Sequence, residues 1–162
     1  MPPVVAPDLP QLSCLPYATG QQAEGVCLLL TLGPYQLLLD CGVKDFEHFL
    51  ARDKMPDAVF CSHAHRDQAE GILALHRHFP AVPIYLSAAT QALLPLNWPG
   101  TKVPAELGQV LPWRSPVEIA KNLTLQLFPA GHLPGAAAAL FTLHTPERDY
   151  TVFYTGDFSV SH

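Results

Sequence analysis

Two apolar runs, Val26 to Thr31 and Tyr35 to Asp40, flank Leu32-Gly33-Pro34. Strand-length runs on either side of a Gly-Pro pair predict a β-hairpin. Ala58 to Cys61 is a short apolar run entered through Met55-Pro56-Asp57, and Pro83 to Ser87 is another; both predict strands. Leu123 to Phe128 alternates apolar and polar, as a half-buried strand does. Ala137 to Leu143 and Thr151 to Thr155 predict a further strand pair around a polar turn at Pro146–Asp149.

Helical spacing runs through Ile72, Leu75 and Phe79, with Leu73 alongside, to about His78; Asp67 stands where an N-cap belongs. Ala88 to Leu94 predicts a short helix ended by Pro95, and Phe46 to Arg52 another. Residues 1–16, with Pro2, Pro3, Pro7, Pro10 and Pro16, predict an extended lead-in. Asn97 to Pro116 is rich in Pro and Gly, with a short strand near Val110. The order predicts an α/β (α+β) domain: a mixed, largely antiparallel sheet with a helical layer.

Composition narrows this picture. The chain has 162 residues, room for one domain. Its 49% hydrophobic content is too high for a disordered chain. Its charged fraction, 14%, falls well below the usual ~25%, which points to extensive burial. No apolar run approaches the ~18 residues of a membrane span. The N-terminus Met1-Pro2-Pro3-Val4 has neither the basic nor the apolar region of a secretory signal, so a cytoplasmic protein is expected. A net charge of -5 rules out a basic nucleic-acid footprint over the whole chain, but a bound metal can supply local positive charge. Cys14, Cys27, Cys41 and Cys61 form no C-x-x-C pair. Cys27, Cys41 and Cys61 lie in or beside apolar runs, which reads as buried free thiols.

The candidate chemistry gathers at strand ends. Asp40 follows Leu37-Leu38-Leu39. His63, His65 and Asp67 follow Val59-Phe60-Cys61. His132 follows the Leu123–Phe128 run through Pro129-Ala130-Gly131, and Asp157 follows Phe153-Tyr154-Thr155-Gly156. Strand ends are where sites are assembled on a rigid sheet. Two imidazoles two residues apart in a turn can converge on one ion, and a carboxylate such as Asp157 can bridge two.

Leu39-Asp40-Cys41-Gly42, Ser62-His63-Ala64-His65-Arg66-Asp67, Gly131-His132-Leu133-Pro134-Gly135-Ala136 and Tyr154-Thr155-Gly156-Asp157-Phe158 resemble the first four motifs of the metallo-β-lactamase fold. The Gly-His-x-x-Gly-Ala and Thr-Gly-Asp-Phe-Ser forms resemble its β-CASP branch of RNA- and DNA-processing nucleases. The resemblance covers the chain from about Leu12 onward. It implies the N-terminal half of an αββα sandwich and a zinc-dependent hydrolase of nucleic-acid phosphodiesters, RNA before DNA. It implies that His63, His65 and His132 hold a first zinc, that Asp67 holds a second and that Asp157 bridges the two. Asp67 and Asp157 are then the catalytic carboxylates, and Asp40 orients the His63 loop.

Two departures from the pattern matter. The family motif continues with a histidine where this chain has Gln68, a neutral and weak zinc ligand. The second position is therefore expected to be weakened or empty. The family also continues beyond the fourth motif, through an inserted β-CASP domain and the rest of the fold. That leads to the expectation of one truncated domain over 1–162, with impaired activity and an apolar face left for a missing half or a homologous subunit. Two other readings stay open: a single-zinc hydrolase of a small ester or thioester, and a non-catalytic subunit of this fold. Trp98 and Trp113 are read as packing anchors.

Overall fold

The computed structural model describes residues 9–20, 25–44, 55–105 and 107–160. Among these residues, ten strands form two sheets. In the first, β1 (Leu12–Thr19), β2 (Val26–Leu32), β3 (Tyr35–Leu39), β4 (Ala58–Phe60), β5 (Ile84–Leu86) and β6 (Gln109–Val110) lie side by side in chain order. In the second, β7 (Val117–Ala120), β8 (Leu123–Pro129), β9 (Ala137–His144) and β10 (Asp149–Tyr154) form an antiparallel meander. The helices are α1 (Arg66–Ala69), α2 (Ile72–His78) and α3 (Ala88–Leu93), the last running into a 3-10 turn at Leu94–Asn97. No helix among the described residues is long and apolar enough to cross a membrane.

The first sheet is mixed. β1, β2 and β3 pair antiparallel, and β3 through β6 pair parallel. Parallel pairing needs a crossover and cover on both faces. Accordingly β4 and β5 are apolar at every position and buried throughout. One face of this sheet packs Leu29, Leu38, Val59, Cys61, Ile84 and Leu86 against Ile72, Leu73, Leu75 and Leu94 of the helical layer. The other face packs Leu30, Leu37, Leu39 and Phe60 against Leu123, Leu125, Leu127, Phe141 and Leu143 of the second sheet. Phe60 meets Phe141 edge to face, with ring centroids 6.2 Å apart. Each such fully buried side chain contributes about 1.5–3 kcal/mol relative to exposure. The layers run helix, sheet, sheet.

Three expectations change. The lead-in ends earlier than its prolines suggested: Leu12–Thr19 is an edge strand on β2. Its pairing shifts register between Pro16 and Ala18, a bulge that accommodates the proline's missing N–H. Val117–Ala120 is likewise a strand that the sequence pattern did not reveal. The single helix expected up to His78 is two helices broken at Glu70-Gly71, and the N-cap is His65 rather than Asp67. The break has a packing cause. Gly71 N–H donates to the Cys41 carbonyl, and a Cβ on Gly71 would lie 2.2 Å from the Val43 carbonyl oxygen. The chain presses so closely on the segment after β3 that a continuous helix does not fit. The helix expected over Phe46 to Arg52 lies outside the described residues. Cys27, Cys41 and Cys61 are buried free thiols, and Cys14 is exposed. Trp98 anchors as expected, its indole N–H donating to the Glu70 carbonyl, whereas Trp113 is 39% exposed.

Candidate metal centre

The layer order brings the ends of β3, β4, β8 and β10 to one edge of the sandwich. Asp40 follows β3 with φ +59°, a left-handed turn that aspartate tolerates better than most residues. Its backbone N–H donates to the Phe60 carbonyl, so the turn is stitched to the end of β4. Past β4 the chain enters the His63 loop. The Asn97 side chain, from the 3-10 turn, donates to the Ala64 carbonyl of that loop, and Cys41 N–H, just after β3, donates to the Gln68 carbonyl on α1.

The His132 loop after β8 closes on itself through Ala130 N–H to the Ala136 carbonyl and Ala136 N–H to the Leu133 carbonyl. It is latched to α3, because the Gly135 carbonyl lies 2.7 Å from Ser87 Oγ and 3.0 Å from Thr90 Oγ1. Gly135 has φ +89°, and a Cβ there would meet Thr90 N at 2.6 Å, so no side chain fits at this crossing. Ala137 N–H donates to the Ser62 carbonyl and joins the two loops.

Three imidazoles converge as a result. His63 Nε2 lies 3.2 Å from His65 Nδ1, and His132 Nε2 lies 3.2 Å from the same atom. The three ligand atoms fall within 4.8 Å of one another. Nitrogens bound tetrahedrally to one zinc at 2.0–2.1 Å stand about 3.3 Å apart. The donor set and its spacing therefore fit a metal ion held by three histidines. His63 is fully buried, while His65 is exposed. Burial lowers the His63 pKa to about 4; the neighbouring imidazoles add to the effect, and Asp157 and Asp67 oppose it. A neutral imidazole is the form that ligates.

The carboxylates border this cluster. Asp157 Oδ2 is 3.9 Å from His63 Nε2 and 3.8 Å from His132 Nε2. Gln68 is buried, and its amide N–H₂ donates to Asp67 Oδ2 at 3.2 Å and faces Asp157 Oδ2 at 3.5 Å. The amide nitrogen thus sits between the two carboxylates. Gln68 Oε1, on the far side, is buried with no hydrogen-bond partner.

Asp40 is wholly buried and accepts three hydrogen bonds. They come from Ser62 N–H at 2.7 Å, Ser62 Oγ–H at 2.8 Å and Tyr154 O–H at 2.6 Å. Burial pushes its pKa up to about 7, against the pull of the Tyr154 and Ser62 bonds. Ser62 and Tyr154 were not singled out by sequence reasoning. The alternation of β10 carries the signal for Tyr154: Tyr150, Val152 and Tyr154 pack towards the first sheet. His76 and His78 fall in the last turn of α2, and His144 pairs with Asp149 on the second sheet, so none of the three joins the cluster.

The three imidazoles at the edge of the two-sheet sandwich, bordered by Asp67 and Asp157, form a group that could hold a metal ion. The family comparison agrees: residues 35–161 match the model of the beta-lactamase superfamily domain, and the chain belongs to the metallo-β-lactamase superfamily. An uncharacterised protein of Synechocystis is 53% identical over 152 residues, covering 93% of this chain and 27% of that protein. A ribonuclease of Thermus thermophilus is 29% identical, covering 88% of this chain and 37% of that protein. A metallo-β-lactamase fold protein of Bacillus subtilis superposes with a TM-score of 0.64 at 22% identity, covering 92% of this chain and 61% of that one. The chain spans about a third of the length of these curated relatives.

Proposed function

We propose that this chain carries the metal centre of a zinc-dependent hydrolase of the β-CASP nuclease type, acting on RNA phosphodiesters in the cytoplasm. The observation that carries the reading is the convergence of His63 Nε2, His65 Nδ1 and His132 Nε2 on one point, with Asp157 beside it. The likeness to the Thermus ribonuclease supports the substrate class. A zinc ion held by His63, His65 and His132 would supply Lewis acidity and lower the pKa of a bound water. Asp157 Oδ2 is placed to accept the proton of an attacking water. The buried His63 stays neutral and keeps its lone pair for the ion.

The Gln68 amide favours one strong metal position over two. Its N–H₂ lies between Asp67 and Asp157 and occupies by hydrogen bonds the carboxylate oxygens that a second cation would need. The amide carries only partial positive charge, so hydrolysis runs below the rate of a two-metal site.

Metal analysis of the purified chain tests this. The expected content is about one zinc per chain, falling to near zero in His132→Ala. Gln68→His supplies an imidazole, and zinc content then rises towards two, with faster cleavage of a single-stranded RNA oligonucleotide. A chain that takes up no zinc on incubation would sink the reading.

A further inference from the structure

The three ligating nitrogens are not the same atom in each ring: the cluster uses Nε2 of His63 and His132 but Nδ1 of His65. A neutral imidazole offers a lone pair on one nitrogen only. For His63 the proton must therefore sit on Nδ1. His63 Nδ1 faces Ser62 Oγ at 3.0 Å. A serine hydroxyl has one proton and can also accept, so its direction decides which tautomer His63 adopts.

Asp40 settles that direction. Every hydrogen bond at Asp40 is one it accepts, from Ser62 N–H at Oδ1 and from Ser62 Oγ–H at Oδ2, and above about pH 7, where the carboxyl is ionised, it has no proton to give in return. Tyr154 O–H takes a further lone pair of Oδ2 and ties the carboxylate to the second sheet. With the Ser62 proton committed to Asp40, Oγ is left to accept from His63 Nδ1–H. We propose that Ser62 is a positioning residue of the metal centre: held by Asp40 and Tyr154, its hydroxyl fixes the His63 tautomer that presents a bare Nε2 to the ion. This rests on the metal-centre reading, and it assigns Ser62 a role that no contact of its own with the ion supplies.

Reversing the relay tests it. In Asp40→Asn, the Ser62 N–H requires the amide oxygen to stay at the Oδ1 position. The amide nitrogen then donates to Ser62 Oγ, whose proton turns to His63 Nδ1 and moves the imidazole proton to Nε2, into the metal position. In Ser62→Ala, neither tautomer is imposed. Histidine ring nitrogen shifts of the metal-free, isotope-labelled chain read the tautomer directly. Zinc affinity by competition with a chromophoric chelator reads the consequence.

The expected result is Nδ1–H for His63 in the unmodified chain, a mixture in Ser62→Ala and Nε2–H in Asp40→Asn. Zinc affinity falls about tenfold in Ser62→Ala and further in Asp40→Asn, within the range known for partners of ligating histidines. Val152→Ala, which trims packing on β10 without touching Asp40, leaves the tautomer unchanged. If Asp40→Asn does not fold, Ser62→Ala alone decides. Retention of Nδ1–H and of zinc affinity within twofold in Ser62→Ala overturns the proposal. If the unmodified chain binds no zinc, the metal-centre reading falls, and the nitrogen shifts still decide what Ser62 does to His63.

Discussion

Asp40 and His63 sit on either side of Ser62, and burial acts on them in opposite directions. The folded state raises the Asp40 pKa from 3.8 to about 7 and lowers that of His63 from 6.5 to about 4. Between pH 4 and 6.5 the unfolded chain protonates His63 more than the folded one does, so this histidine makes stability fall as pH drops. Over pH 4 to 7 the folded chain holds the Asp40 proton that the unfolded chain has lost, so Asp40 makes stability fall as pH rises. The two slopes offset each other, and a substitution separates them. Asp40→Asn removes the carboxylate ionisation, and the variant gains on the unmodified metal-free chain as pH rises from 4 to above 7. The change across that window is on the order of 2–4 kcal/mol. Urea unfolding at pH 4.5 and 7.5 measures it. A difference between the two chains that does not change with pH would show that folding does not raise the Asp40 pKa.

At the scale of elements, the site depends on which pieces hold its loops. The His132 loop is anchored at the start of α3, where the Ser87 and Thr90 hydroxyls meet the Gly135 carbonyl. Ser87 is also the N-cap of α3, accepting from Thr90 N–H. Ser87→Ala removes both contacts, and the expected cost is about 1–2 kcal/mol. The freed loop lets His132 wander, so zinc affinity falls several-fold while His63 keeps its tautomer. Chemical unfolding and the chelator competition measure the two effects. An unchanged affinity would mean that the loop is held by its own internal bonds.

This latch was not legible in the sequence, because Ser87 and Gly135 are 48 residues apart and neither belongs to a periodic pattern. The elements that were legible bury one face or both. β2, β3, β8 and β9 announce themselves by alternation or by an unbroken apolar run. β1 and β7 did not. β1 is an edge strand with a mostly exposed row of residues and a proline, and β7 has four residues beside a Pro-rich stretch. The four site segments stood out because each ends a strand in residues that can ligate. The Ser62–Asp40–Tyr154 relay did not, because hydroxyl groups near a motif carry no spacing rule.

The described residues form three layers, and the outer face of the second sheet is partly exposed among them. Along β8, β9 and β10 this face divides in two. The end far from the metal centre carries Thr124, Thr142, His144, Asp149 and Thr151, with His144 bonded to Asp149 and Thr124. The end beside the metal centre carries Phe128, Ala138, Leu140 and Phe153. Phe153 is 54% exposed, with Phe128 edge-on to it at 6.1 Å, and Phe158 and Val160 further along are 61% and 70% exposed. An apolar cluster on an exposed sheet face is the kind of surface that apolar ligands and dyes bind. In the 162-residue chain alone, this end should bind an environment-sensitive hydrophobic dye at room temperature and neutral pH, without denaturant. Phe153→Thr keeps a strand-forming residue and removes the largest exposed ring, so dye fluorescence falls by half or more with little change in unfolding midpoint. Tyr154→Phe, on the opposite face of the same strand, leaves the dye signal unchanged. If Phe153→Thr and the unmodified chain bind the dye equally, the apolar end is not the surface the dye reads.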